Sequence, residues 1–160
     1  MSQLQERSTR TTTRPVPDEA VLSEEPSQRQ SRIPQLLRML GAIAVLVVGA
    51  VHLQQYFADG IDTVPIIGPL FLLNFAGATV IGLGLLIPVA RMRVLHLLLA
   101  LGGIGLAATS FVFLFISEHM PLFGFHDHGY RSGIVVALAA EAVAVGSLAA
   151  YLAMRIRRRA

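Results

Sequence analysis

Four stretches of this chain are apolar over at least ~18 residues, the length that separates a membrane-spanning helix from a buried core helix. The first carries no charged side chain over residues 39–58, and the second carries none over residues 63–90. Backbone groups cannot stay unpaired in hydrocarbon, so such stretches fold as helices. The sequence therefore predicts an all-α, antiparallel bundle of four transmembrane helices, over about 33–57, 69–90, 94–117 and 132–154.

The composition excludes several classes of protein. Hydrophobic residues make up 54% of the chain and charged residues only 14%, against about a quarter charged in soluble domains. A soluble enzyme, a disulfide scaffold and a wholly disordered chain are therefore not expected. The chain has no Cys, which also excludes thiolate metal ligands and Cys nucleophiles.

The positions of the basic residues predict the orientation. All 13 are Arg, and with a cytoplasmic N-terminus only Arg131 lies outside. Cytoplasmic loops of membrane proteins carry such an excess, so both termini are predicted to be cytoplasmic. Because these Arg residues flank membrane spans, the pI of 10.2 favours contact with the lipid bilayer and not with nucleic acid. The use of Arg for every basic residue, with much Ala and Gly, fits a GC-rich coding sequence and points to a bacterial source. The expected location is therefore the bacterial cytoplasmic (inner) membrane.

Three parts follow along the chain. Residues 1–31 are polar and charged, with too few apolar side chains to fold alone, and are predicted to be a disordered cytoplasmic tail. Residues 32–155 form the four-span domain, and 156–160 a basic cytoplasmic tail.

Glu141 is the first candidate functional residue. It lies nine residues after Ser132 in the fourth segment, about 14 Å deep at the rise of an α-helix. A carboxylate at that depth is costly, so it is paired, protonated or facing a water-filled cavity. It is either a proton-handling or ligand-binding group or a neutral acid hydrogen-bonded across helices.

Polar partners for Glu141 are expected at a similar depth. His52, Asn74 and Ser110 each lie in the outer half of another helix, whereas the inner half offers only Thr79, His96 and Ser147. This asymmetry predicts a small pocket open toward the outside, although polar contacts that only hold the helices together would also explain it.

Small residues at helical spacing predict the packing faces. The second segment has Ala78 and Gly82, the third has Gly103, Ala107 and Ser110, and the fourth has Ala142, Gly146 and Ala150. Such residues allow close approach of membrane helices. They fit a bundle within one chain and equally a homo-oligomer.

The loop before the fourth segment contains His119, His126 and His128. Neutral imidazoles there would suit Zn²⁺ or a copper ion. The alternative is an interfacial loop whose aromatic side chains enter the headgroups. Haem is not expected, because His52 and His96 lie at opposite depths and cannot ligate one iron.

Short motifs in this chain resemble those of a known group. The run Pro69-Leu70-Phe71-Leu72-Leu73-Asn74, and Leu122-Phe123-Gly124-Phe125 before the helix with Glu141, resemble small four-helix membrane proteins of high-GC bacteria, similar in overall shape to the DoxX-like group. The resemblance covers about residues 35–155. It implies a four-helix fold in the cytoplasmic membrane and brings no established activity.

The leading functional hypothesis is a non-enzymatic multi-pass membrane protein. It would act as an accessory subunit, with a membrane-protein partner, or as a small-ligand-binding module that uses Glu141, Asn74, His52 and Ser110. The alternative is a metal-handling or redox protein that uses the loop histidines. Proton-coupled transport through Glu141 is disfavoured by the scarcity of polar groups in the inner half, and an inert structural role stays open.

The metal alternative makes a direct prediction. If the loop binds metal, protein purified from metal-replete cells carries stoichiometric Zn or Cu, and the His126→Ala/His128→Ala variant loses it. Elemental analysis with an absorption spectrum tests this on one preparation. A colourless, metal-free protein would remove the alternative.

Overall fold

The computed structural model describes residues 26–88, 93–120 and 132–157, and these residues are helical apart from short connections. The helices are α1 (Pro26–Ala58), α2 (Ile67–Leu86), α3 (Arg93–His119) and α4 (Ser132–Arg157), with a 3₁₀ turn at Ile61–Thr63 between α1 and α2. Each helix contains a segment long and apolar enough to cross a membrane. The prediction of an all-helical chain with four candidate membrane spans is confirmed.

Three helix ends differ from the sequence prediction by three residues or more. α4 ends at Arg157, three residues after the predicted end, and so includes residues 156 and 157 of the predicted basic tail. α1 begins at Pro26 and so includes the last six residues, 26–31, of the predicted tail. α2 ends at Leu86, four residues before the predicted end, because Ile87 has an extended backbone, with φ −64° and ψ 122°. Ile87 precedes Pro88, whose ring disfavours the helical conformation in the residue before it.

α1 and α4 form the centre of the bundle. α1 packs extensively on α2 and α4, and α3 completes the arrangement against α4 and α2. Within the described ranges α2 and α4 do not touch, so they lie on opposite sides. The buried core is built mainly from small and β-branched side chains, among them Ala42, Val45, Ala78, Ala107, Ala144 and Leu148.

α1 and α2 approach each other at glycines. A Cβ atom on Gly49 would lie 2.7 Å from the Cβ of Ala78, and one on Gly82 would lie 2.5 Å from Leu46 Cγ and 3.1 Å from the Ala42 carbonyl oxygen. Ala78 is fully buried, as the small-residue pattern of the second segment predicts. The lack of side chains at these glycines therefore sets the distance between α1 and α2.

As a packing face within one chain, the face predicted for the fourth helix is wrong. Nothing lies within 4 Å of a Cβ atom built on Gly146, and Ala142 is exposed. The buried face instead follows Ala137, Glu141, Ala144, Leu148 and Tyr151. α4 is rich in Ala, so small residues occur on several of its faces and do not select one.

A polar contact closes the end of the bundle where α2 ends and α3 begins. Arg38 Nη1 donates to the carbonyl oxygen of Ile87 over 3.3 Å and lies 2.8 Å from His96 Nε2. His96 Nε2 also lies 3.0 Å from the Ile87 carbonyl oxygen. It accepts from Arg38 in one tautomer and donates to Ile87 in the other, because a guanidinium only donates and a carbonyl oxygen only accepts. Arg38 and His96 are 9% and 4% exposed, so this contact ties α1, α2 and α3 together.

The glycine contacts predict opposite effects for two matched substitutions. Gly82→Ala should lower the free energy of unfolding by about 1–3 kcal/mol, because the new methyl group forces α1 and α2 apart. Gly146→Ala meets open space and should leave the stability unchanged or raise it by up to about 1 kcal/mol, since Ala is the better helix former. Unfolding in mixed micelles measures both, and equal losses would contradict this packing.

Candidate functional site

A cavity of about 360 Å³ lies among the four helices. Its walls come from the second halves of α1 and α3 and the first halves of α2 and α4. The four residues predicted for the polar cluster all line it: His52, Asn74, Ser110 and Glu141. The volume is at the lower end of the range of small-molecule pockets, about 300–1,000 Å³.

A chain of hydrogen bonds begins at His52, which is 7% exposed. Its Nδ1 lies 2.8 Å from the carbonyl oxygen of Val48, one turn earlier in α1. A carbonyl oxygen only accepts, so Nδ1 carries a proton and donates it. In the neutral imidazole Nε2 is then an acceptor, and it receives the Ser110 hydroxyl over 2.9 Å.

Ser110 is the centre of this chain. When His52 is neutral, the one proton of Ser110 goes to His52, and the hydroxyl accepts from Asn74 Nδ2 over 3.3 Å. This contact fixes the orientation of the Asn74 amide, because the reversed amide would place two acceptors against each other. Three helices are thereby joined through one hydroxyl group.

Glu141 brings the fourth helix into the same site. It is 2% exposed, and its carboxyl group interacts with the Ser110 hydroxyl. Among the described residues, its Oε2 atom and Asn74 Oδ1 are the two buried side-chain atoms without a hydrogen-bond partner. Buried polar atoms in proteins are nearly always partnered, by protein, water or a ligand, so these two unpartnered oxygens make the cluster a candidate binding site.

Three further polar residues line the cavity although they were not among the predicted site residues: Gln55, Thr109 and Ser117. Gln55 is one turn after His52, and Ser117 is two turns after Ser110, so helical spacing from the predicted residues would have found both. Thr109 has no such spacing from them, and no sequence signal singles it out.

The aromatic walls are Phe71 and Phe113. Phe71 also lies against the His52 ring, with 4.9 Å between centroids and a tilt of 50°. The remaining walls are mostly aliphatic: Ile67, Leu70, Leu73, Leu106, Leu114, Ile134 and Ala137. The site thus combines a compact polar group with a larger apolar space.

The polar residues expected in the other half of the bundle are already bonded. Thr79 and Ser147 donate to carbonyl oxygens of their own helices, at Phe75 and Val143. His96 belongs to the contact with Arg38. None of the three lines the cavity.

The histidine loop is only partly described. His119 is the last residue of α3; its Nδ1 donates to the Phe115 carbonyl oxygen over 2.8 Å, which leaves Nε2 as the possible ligand atom. His126 and His128 lie outside the described residues, so the loop metal site stays a prediction. No three His, Asp or Glu side chains come together as a metal site among the residues that the structure describes.

Comparisons with models of protein families, with curated proteins and with solved structures found no match. The resemblance to DoxX-like proteins stays a prediction. What the structure defines is a helical protein with four candidate membrane spans and a cavity lined by one polar cluster.

The hydrogen-bond chain predicts that Ser110 stabilises the fold more than its neighbour does. Ser110→Ala should lower the free energy of unfolding by about 1–2 kcal/mol, the upper range for polar contacts between membrane helices. Thr109→Val, in the same cavity wall, should change it by less than about 0.5 kcal/mol.

Unfolding in mixed micelles, repeated in the His52→Ala and Asn74→Ala backgrounds, measures the coupling between these side chains. Strictly additive effects would show that the chain is not formed.

Proposed function

We propose that this protein is a non-enzymatic, multi-pass protein of the bacterial cytoplasmic membrane that binds a small molecule in the cavity around Glu141. Both termini are cytoplasmic in this proposal, and the cavity opens toward the outside. The observation that carries it is the pair of unpartnered acceptors, Glu141 Oε2 and Asn74 Oδ1, in the cavity wall. The module acts alone or as the ligand-binding subunit of a membrane complex.

The exposed surface supports a membrane location. Large apolar side chains are more than half exposed along α2 and α3, among them Leu73, Val80, Leu98 and Phe115. A surface of this kind aggregates in water but is well solvated by lipid tails. The Arg residues at both ends of the chain and around residue 92 favour the cytoplasmic side for both termini.

Binding is better supported than transport. Transport through Glu141 needs a polar path to the other end of the bundle. There the core is closed by side chains such as Ala42, Val45 and Leu85, which are fully buried. Thr79 and Ser147 in that half are bonded to backbone, and His96 is bonded to Arg38. The arrangement therefore supports a site with access from one side.

The absence of Cys allows a direct test of access. Thr109→Cys places a single thiol in the cavity wall. A small membrane-impermeant thiosulfonate, added to intact spheroplasts, should modify it, and a bound fragment should slow the modification. Ala144→Cys, in the core and fully buried, should stay unmodified until the protein is unfolded.

Two glycines provide matched controls. Gly105 lines the cavity and Gly146 does not, and a Cβ on either meets nothing within 4 Å. Gly105→Leu should fill the cavity and slow modification of Thr109→Cys at least tenfold, whereas Gly146→Leu should not. If only inside-out vesicles react, the proposed orientation is wrong. If no fragment of a chemically mixed set slows the reaction, the binding function is wrong.

A further inference from the structure

We propose that the cavity selects a primary ammonium group carried on a small apolar body. This rests on the proposed function and names the chemistry of its ligand. The inference comes from counting the protons in the cluster around Ser110. Two arrangements that satisfy the bonded atoms both leave the same two oxygens, Glu141 Oε2 and Asn74 Oδ1, without a donor.

In the first arrangement neither Glu141 nor His52 is charged. The neutral Glu141 carboxyl donates to Ser110, Ser110 donates to His52 Nε2, and His52 Nδ1 donates to the Val48 carbonyl oxygen. The Asn74 amide also donates to Ser110, whose hydroxyl oxygen has two lone pairs. The oxygen of Glu141 that has no partner is then the carbonyl oxygen of a carboxylic acid, which is an acceptor.

The second arrangement differs by two proton shifts. His52 carries both ring protons and donates to Ser110, and Ser110 donates to an ionised Glu141. The Asn74 amide still donates to Ser110. Glu141 Oε2 is now a carboxylate oxygen, and Asn74 Oδ1 is unchanged. In both arrangements the two free atoms are acceptors, so a ligand that bonds to them must supply the hydrogens.

An ammonium group fits these two acceptors better than other donors do. Asn74 and Glu141 both interact with Ser110, and in the proposal one head group serves the free oxygens of both. An alcohol has a single O–H, whereas an ammonium has three N–H donors and a charge that pairs with an ionised Glu141. Phe71 and Phe113 offer aromatic faces, which attract organic cations.

The rest of the cavity determines the body of the ligand. A water molecule has two donors but would leave most of the 360 Å³ unfilled among aliphatic walls. An apolar body of modest size fills that space and gains its transfer free energy. The same chemistry is offered by a free lipophilic amine and by the headgroup of an ethanolamine phospholipid.

Three phenyl probes of similar size test the proposal. 2-Phenylethylamine offers an ammonium group, 2-phenylethanol offers a hydroxyl group, and acetophenone offers only an acceptor. Binding is measured by ligand-detected NMR on the full chain in phosphatidylcholine nanodiscs, with empty nanodiscs as the blank. The amine should bind at least tenfold more tightly than the alcohol, and acetophenone should not bind.

The variants assign the selectivity to the two oxygens. Glu141→Gln keeps the shape and should reduce the preference for the amine to less than threefold. Asn74→Leu removes the second acceptor and should weaken binding of the amine more than binding of the alcohol, which needs only one acceptor. This variant keeps the test valid if Glu141→Gln does not fold. Gly105→Leu should abolish binding of every probe, and Gly146→Leu should leave it unchanged.

The outcomes separate the two proposals. Equal binding of the amine and the alcohol, lost in Gly105→Leu, would overturn the ammonium proposal and leave the binding function intact. An amine preference that persists in both Glu141→Gln and Asn74→Leu would also overturn it. Failure of every fragment to protect Thr109→Cys would overturn the binding function itself.

Nanodiscs that contain phosphatidylethanolamine distinguish the two sources of the ammonium group. Displacement of 2-phenylethylamine by that lipid would support the ammonium proposal with a lipid as the natural occupant. Undiminished binding of the amine would support it with a free amine.

Discussion

The Ser110 hydroxyl is the contact on which the cavity depends, because it joins side chains from the other three helices at one oxygen. A membrane helix gains little from burying apolar surface against another apolar helix, so directed contacts and close packing must set the geometry. Ser110 orders His52, Asn74 and Glu141 into one cluster. One hydroxyl group cannot bond to every polar atom around it, and Glu141 Oε2 and Asn74 Oδ1 have no partner among the described residues. The contacts that join the helices therefore also leave the two free acceptors on which the proposed binding site depends.

The two ends of the bundle differ in how completely their polar groups are partnered. At one end Arg38 contacts His96 and the carbonyl group of Ile87, the residue after α2, where the helix dipole also favours a cation. At the cavity end, two buried oxygens, Glu141 Oε2 and Asn74 Oδ1, have no partner among the described residues. The connection with Gly60 and the 3₁₀ turn packs closely on α2 at this end, since a Cβ on Gly68 would lie 2.8 Å from the Ile61 carbonyl oxygen. One end is thus built for stability and the other retains unused hydrogen-bonding capacity.

Much of this fold could be predicted from the sequence, since long uncharged segments leave a chain little choice but to form helices. Counting residues from the segment ends also placed Glu141, His52, Asn74 and Ser110 at a common depth, and the structure brings them together. Depth follows from the fixed rise of a helix, but rotation about the axis does not. For that reason the face of α4 was predicted wrongly at Gly146, and Thr109 was missed. The contact between Arg38 and His96 depends on where α2 ends, which the sequence placed four residues too late.

The hydrogen-bonding groups of the site and the space available in it depend on different residues. The hydrogen-bonding groups lie on Glu141, Asn74 and Ser110, whereas part of the available space exists because Gly105 has no side chain. Under the proposed binding function, a substitution at Gly105 changes the size of the ligand that fits and leaves the atoms that contact its head group in place. Chains that differ only at this position would then hold ligands of different bulk with one chemical preference.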